Sequence, residues 1–497
     1  MTYQKKMSVT QLTILTAVNM MGSGIIMLPT KLASVGTISV LSWIVTALGS
    51  MALAYVFAKC GRYSRKTGGM GGYAEYAFGK GGSHMVNYTY AFSLVIANVA
   101  IAISAVGYGV TFFDNFLQTF GMATPDVAEN SKPLYVALAA VVLVWVTTVA
   151  NFGGAHITGK IGGLTIWGVI IPVLALSVIG WFWFKPSTYV AAWNPHHYGF
   201  WQAVGISIPM TLWAFLGMES ACANSDAVEN PEKNVPIAVL GGTLTCAIIY
   251  ILSTNVMAGI VPNVDLANSD GPFGLTFSVM FGPIIGMIVL ALMVIACIGS
   301  LLGWQFTVAE VFRSSAQEKY FLAIFGKVNK SGVPILPMCI LAVAQTLLAL
   351  MTISPELKKQ FEILTNLAVV TNIVPYIICM ASIVAIYAAN RVNRQETITT
   401  CVVALIASIY TYYALYSSGQ QSIMYGALVT FFGWTLFASV SHRFIEAHQP
   451  LDTSVVDILE DIDKSPKDLN ILKRFLGFWR KKQKSQTATN NNQHTDK

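Results

Sequence analysis

Thr211-Leu212-Trp213-Ala214-Phe215-Leu216-Gly217-Met218-Glu219-Ser220 lies near the middle of an apolar run from about Trp201 to Cys222. Glu219 is the one carboxylate of the chain that falls deep inside a hydrophobic span rather than at its edge. A charge at bilayer depth is costly, so an intramembrane carboxylate marks a functional site by default. A second interrupted run lies near the N-terminus, where glycines and a proline break Asn19-Met20-Met21-Gly22-Ser23-Gly24-Ile25-Ile26-Met27-Leu28-Pro29. Paired interrupted helices, one in each half of a chain, are the sequence pointer to a transporter's binding site. The remaining runs then read as scaffold and gates.

Outward from these breaks, the composition is that of a membrane protein. Hydrophobic residues make up 55% of the chain and charged residues 11%, where a water-soluble domain carries roughly 25% charge. The apolar runs are long enough for helices to cross a bilayer core and lack the alternation of barrel strands. The expected fold is an all-α membrane protein with twelve transmembrane helices. These lie near 11–32, 37–59, 85–112, 133–152, 161–184, 201–223, 235–260, 284–312, 334–353, 361–389, 398–417 and 421–441. The run at 284–312 is longer than one span needs and is expected to tilt or to extend into solvent. Spans one to five and six to ten can be laid out as a 5+5 inverted repeat with broken helices 1 and 6, leaving two further helices outside the repeat.

Lys and Arg set the orientation. With both termini inside, the inner segments hold Lys59, Arg62, Arg65, Lys66, Lys80, Arg313, Lys319, Arg391 and Arg394, while the outer loops hold only Lys31, Lys132, Lys185, Lys358 and Lys359. This is the positive-inside pattern, and it accounts for the net charge of +7 without nucleic acid. A transporter domain is expected over 1–445 and a cytoplasmic tail over 446–497. Within the tail, residues 469–482 are basic and amphipathic, which suits an anionic lipid surface or is chance patterning in a loosely ordered segment. The last residues, rich in Asn, Gln and Thr, are expected to be disordered. No cleavable signal stands out.

The chemistry follows from the breaks. Gly22-Ser23-Gly24 frees backbone N–H groups at the start of a half-helix, and these suit a carboxylate. The Gly217 region frees carbonyls that suit an ammonium group. Glu219 can pair with a cationic amine when ionised, or carry a proton when neutral. Trp213, Trp304, Tyr88 and Tyr90 offer aromatic faces for alkylammonium groups, although Tyr and Trp also anchor spans at the interface. The bland alternatives are small residues for close helix packing and a structural carboxyl. Glu75 falls in Gly68-Gly69-Met70-Gly71-Gly72-Tyr73-Ala74-Glu75, an inner loop that lacks the Gly-Lys-Ser/Thr of a phosphate loop. Seven cysteines, an odd number without ligand spacing, predict no disulfide framework and no metal site. No catalytic constellation, and so neither an enzyme nor a cofactor, is expected.

Residues 11–32 with their Asn-Met-Met-Gly-Ser-Gly-Ile-Ile-Met-Leu-Pro core resemble the basic amino acid/polyamine antiporters of the amino acid–polyamine–organocation superfamily. The segments 68–80, 213–224, 230–243, 299–307 and 367–376 do so too. The likeness spans about residues 5–445 and is greatest to the putrescine–ornithine branch, with lysine–cadaverine and arginine–agmatine exchangers weaker. It implies the twelve-helix inverted repeat in a bacterial inner membrane. It also implies exchange of putrescine for ornithine, putrescine import with protons, and a link to a cytoplasmic ornithine decarboxylase. At matching positions it implies a substrate site at Asn19, Ser23, Gly24, Trp213, Glu219 and Trp304, with Cys60, Glu75, Tyr90 and Cys222 as further candidates. Phe437 stands where a tyrosine is expected from this branch. A non-transporting sensor that keeps the fold is the second class of reading, and homo-oligomerisation stays open.

Overall fold

The computed structural model describes residues 8–22, 24–66, 68–122, 132–219, 228–329, 332–351, 353, 357–441 and 444. The first helix, α1 (Val9–Met20), starts where Ser8 and Gln11 cap each other reciprocally, satisfying N–H groups that a helix start leaves free. It stops at the glycine break. A short helix, α2 (Leu28–Ala33), resumes with Pro29 in its first turn, a position where the missing N–H costs nothing. The second break behaves alike: α9 (Phe200–Trp213) ends at Trp213, and Gly217 turns the chain with φ +109°.

The two breaks meet. A side chain at Gly24 would put its first carbon 3.2 Å from the Ala214 Cα, and one at Gly217 would sit 3.1 Å from the Asn19 carbonyl oxygen. Both approaches are tighter than an ordinary contact of a Cβ, and Gly217 also needs the positive φ that glycine adopts without strain. Behind the second break, Phe215 packs edge-on against Trp43 at 6.2 Å and against Tyr250 at 5.7 Å, and all three rings are buried.

Long helices surround the crossing. They are α3 (Val40–Tyr63), α4 (Met70–Thr119), α5 (Lys132–Asn151), α6 (Gly154–Thr165), α7 (Trp167–Ile179), α10 (Pro231–Ile260), α13 (Pro283–Gln317), α14 (Ile335–Met351), α15 (Leu357–Ala389), α16 (Arg394–Ser417) and α17 (Gln420–Ser441). α4 runs along both α15 and α13, while α10 packs on α1 and α3. Among the described residues, nine helical segments are long and apolar enough to cross a membrane, and Val9–Met20, Pro272–Phe281 and Ile335–Met351 are shorter apolar helices. No extended strand occurs among the described residues.

The structure departs from the sequence reading in several places. Residues 70–78, expected as an inner loop, are helical. Gly68 and Gly69 at φ +91° and +57° turn the chain, and Met70, Tyr73 and Ala74 face the interior. Gly79, at φ 61° and ψ −157°, then separates this short helix from the span that follows. The expected span at 161–184 begins already at Gly154 and is interrupted at Ile166. A short helix, α8 (Pro186–Ala191), packs on α10, and the connection after α10 holds two more, α11 (Asn263–Ala267) against α2 and α12 (Pro272–Phe281) against α13. In α12, Phe273, Phe277 and Met280 are buried. The long run near 284–312 becomes a helix reaching Gln317. The tail at 446–497, with its amphipathic stretch 469–482, lies outside the described residues.

Gly217→Ala tests the crossing. A side chain at φ +109° against the Asn19 carbonyl is expected to cost about 1–3 kcal/mol. This would be read as a thermal midpoint several degrees lower for the purified protein in detergent. An unchanged midpoint would show that the two breaks are not in tight contact.

Candidate functional site

Between the two breaks lies a cavity of about 40 Å³, room for about three water molecules. Asn19, Gly22 and Gly24 from the first break line it, with Trp213, Gly217 and Glu219 from the second and Trp304 from α13. Five of the residues expected at the substrate site from sequence, namely Asn19, Gly24, Trp213, Glu219 and Trp304, therefore share one cavity. Ser23 and Cys222 lie outside the described residues.

Glu219 is 3% exposed. One of its oxygens, Oε2, accepts from the Gly217 N–H at 3.1 Å and from the Tyr376 hydroxyl at 2.8 Å. Tyr90 reaches the same carboxylate from α4. An ionised carboxylate only accepts, so a shell of N–H and O–H donors suits its charged form. Trp213 stands over the cavity with Phe361 edge-on behind it, ring centroids 6.3 Å apart. A carboxylate beside two indole faces suits a cationic amine, through charge on one side and ring quadrupoles on the other.

The sequence reading missed three contributors. Ser93 and Asn372 line the cavity, with the Ser93 hydroxyl donating to Asn372 Oδ1 at 3.1 Å, and Tyr376 holds Glu219. Asn372 and Tyr376 are four apart on α15, so they share a helix face. Two hydrogen-bonding side chains on one stripe of an apolar span were the available signal. Asn372 Nδ2, Trp213 Nε1 and the Ser300 hydroxyl beside Gly22 are buried without a hydrogen-bond partner among the described residues. Such orphan groups cluster where a ligand or water completes the set. Among the described residues, no three His, Cys, Asp or Glu side chains converge as a metal site.

Cys60 and Glu75 lie away from this cavity. Cys60 is buried where α3 meets α15, its Sγ 3.9 Å from the Cys379 carbonyl, and the Cys379 thiol points to the Met70 carbonyl at 3.6 Å. Glu75, on the short helix before Gly79, is held by Lys66 at 2.8 Å, Lys80 at 2.7 Å and the Tyr320 hydroxyl at 2.7 Å. Burial alone would push this carboxyl up. The hydrogen bonds from Lys66, Lys80 and Tyr320 together outweigh it and hold the group down at about 2. The cluster ties the segment after α3 to the segment after α13. Phe437 packs 5.1 Å from the His84 ring, not at the cavity.

Residues 7–437 match the family described as Amino acid permease. The chain is 61% identical over 439 residues to the Putrescine transporter PotE of Escherichia coli (strain K12), an overlap of 88% of this chain and 97% of that protein. It is 60% identical to the Putrescine transporter PotE of Haemophilus influenzae, covering 88% and 98%. To the Cadaverine/lysine antiporter of Escherichia coli (strain K12) it is 32% identical over 418 residues, covering 82% and 90%. The chain is a multi-pass membrane protein and belongs to the amino acid permease family.

Proposed function

We propose that this chain is a putrescine transporter that exchanges putrescine for ornithine across a bacterial inner membrane and also imports putrescine with protons. The observation that carries the reading is the Glu219 carboxylate, set at the crossing of two broken helices between Trp213 and Trp304. The 60–61% identity to putrescine transporters over nearly their whole length supports the same substrate. The fold proposed with it has twelve spans, a 5+5 inverted repeat and two further helices, with both termini cytoplasmic.

In this reading one ammonium group of the substrate approaches Glu219 and exchanges with the hydroxyls of Tyr376 and Tyr90. Ornithine carries an α-carboxylate for the N–H groups freed at the first break, and putrescine has none. The amine must therefore dominate recognition of both, through Glu219 and the indoles. The cavity is smaller than a diamine, so its walls part when the substrate enters. Putrescine is a dication near neutral pH and ornithine has net charge +1. Exporting the first and importing the second moves one positive charge outward. A cytoplasmic ornithine decarboxylase would regenerate putrescine and consume a proton. Asn19, Ser23, Gly24, Trp213, Glu219 and Trp304 form the proposed substrate site. Tyr90 and Cys222 are proposed beside it, and Cys60 and Glu75 at the inner closure.

Counterflow in proteoliposomes tests the substrate. Vesicles loaded with ornithine are expected to take up labelled putrescine, with cadaverine, lysine, agmatine and arginine competing weakly. Stronger competition by a longer pair would reassign the substrate within the family, and absence of flux with every cation would favour a sensor. Glu219→Gln, in correctly inserted protein, is expected to lower the initial putrescine rate at least about tenfold, the order of one charged hydrogen bond. Near-normal flux would reject its role. Because Glu75 stays ionised down to about 2, its ion pairs hold throughout the working range. Their stabilisation is present in full above the ordinary carboxylate value and is lost progressively as pH falls from there through about 2. Glu75→Gln should therefore change uptake by one constant factor across neutral and mildly acidic pH. A ratio that varies over that range would show another protonation state in control.

A further inference from the structure

A second cavity, about 420 Å³, lies apart from the central one. Lys31 and Ser34 line it from the end of α2, Lys359, Glu362 and Asn366 from the start of α15, and Ser422 from α17. In the orientation proposed above this is the outer face. Phe361, the residue before Glu362, packs on Trp213, so this ring pair links the wall of one cavity to the wall of the other.

The charges of the second cavity differ in kind from those of the first. Lys31 is only 4% exposed, and its Nζ lies 2.9 Å from Glu362 Oε2. A buried ammonium is costly unless paired, so Lys31 fixes the Glu362 carboxylate through one oxygen. Glu362 Oε1 has no hydrogen-bond partner among the described residues. Lys359 lines the same cavity and is exposed. The cavity thus presents a held carboxylate with an oxygen to spare, beside two ammonium groups, within the volume range of small-molecule sites. A diamine brings only positive groups and is opposed by Lys31 and Lys359. An α-amino acid brings both signs: its ammonium fits Glu362 Oε1, and its carboxylate fits the lysines.

We propose that this cavity is an outer entry site for the zwitterionic head of a cationic α-amino acid, held between Glu362 and the Lys31–Lys359 pair. The assignment rests on the exchange reading above and deepens it. The central cavity carries both substrates, while the outer one admits the amino acid and disfavours recapture of the released diamine. No covalent step is involved.

Lys359 tests it without disturbing the Lys31–Glu362 pair. Vesicles holding the full-length protein in one orientation are loaded with putrescine, and exchange is measured against external ornithine, ornithine methyl ester or labelled putrescine. Lys359→Gln is expected to raise the external half-saturation for ornithine about tenfold, leave the ester unchanged, and leave putrescine unchanged or lower. Lys359→Arg should restore ornithine, and the internal half-saturation for ornithine should not move. Ornithine kinetics unaffected by Lys359→Gln, or ornithine and its ester shifting equally, in protein with intact putrescine self-exchange, would overturn the outer site alone. Putrescine self-exchange without any ornithine uptake in the unmodified protein would overturn the exchange reading and the outer site with it.

Discussion

The close crossing of the two broken helices is the constraint on which the site depends. A helix interrupted at bilayer depth exposes N–H and C=O groups that have no water to meet them, so protein must satisfy them. Here the Glu219 carboxylate takes the Gly217 N–H of its own break and the Tyr376 hydroxyl of α15. The side chain that suits a substrate amine is therefore also part of the internal bonding of the break. An ammonium group arriving at Glu219 competes with donors that shape the backbone, so binding and local geometry are linked through one carboxylate. A ligand can shift a conformational equilibrium only by its differential affinity for the two states. A carboxylate that must trade partners on binding supplies such a difference.

Packing fixes the site from behind and leaves its ends to be closed by charge. Phe215, wedged between Trp43 and Tyr250, holds the second break in place. Trp213 and Phe361 close the cavity on one side. At the two ends of the bundle the contacts are ionic: Glu75 with Lys66, Lys80 and Tyr320 at one, Lys31 with Glu362 at the other. Lys31 and Glu75 are both largely buried, so separating either from its partners has to be offset by water or by a new charged partner. Charged groups can trade partners in this way, whereas the aromatic wedge behind the break has no such exchange. The division suits a carrier whose ends exchange partners while the packing behind its second break is kept.

How much of this the sequence discloses depends on whether the signal is local. Gly22, Gly24 and Gly217 interrupt apolar periodicity, and Glu219 is a lone acid in a span, so each stands out against its neighbours. Tyr376 and Asn372 do not: both sit in an otherwise unbroken span, and Tyr376 reaches Glu219 across 157 residues of chain. Ser93 is a small hydroxyl of the kind that caps its own helix's carbonyls, as it also does here at Tyr90. Residues 70–78 mislead for the opposite reason. Their glycines suggest a loop, yet a buried face of Met70, Tyr73 and Ala74 makes the segment a helix, because packing overrides propensity.

The charge balance of the two cavities has a further consequence under the proposed function. Putrescine is ornithine without its carboxylate, so a site that recognises only the shared amine cannot tell them apart. The central cavity has one carboxylate and no lysine in its lining, which suits both. The second cavity adds Lys31 and Lys359 to a carboxylate, which makes the α-carboxylate the feature it can read. Recognition of the common group and recognition of the distinguishing group are then separated in space, with Trp213 and Phe361 between their walls. An exchanger arranged this way keeps a central site that releases a diamine as readily as it accepts an amino acid. Its directional preference comes from charges that the bound substrate no longer touches.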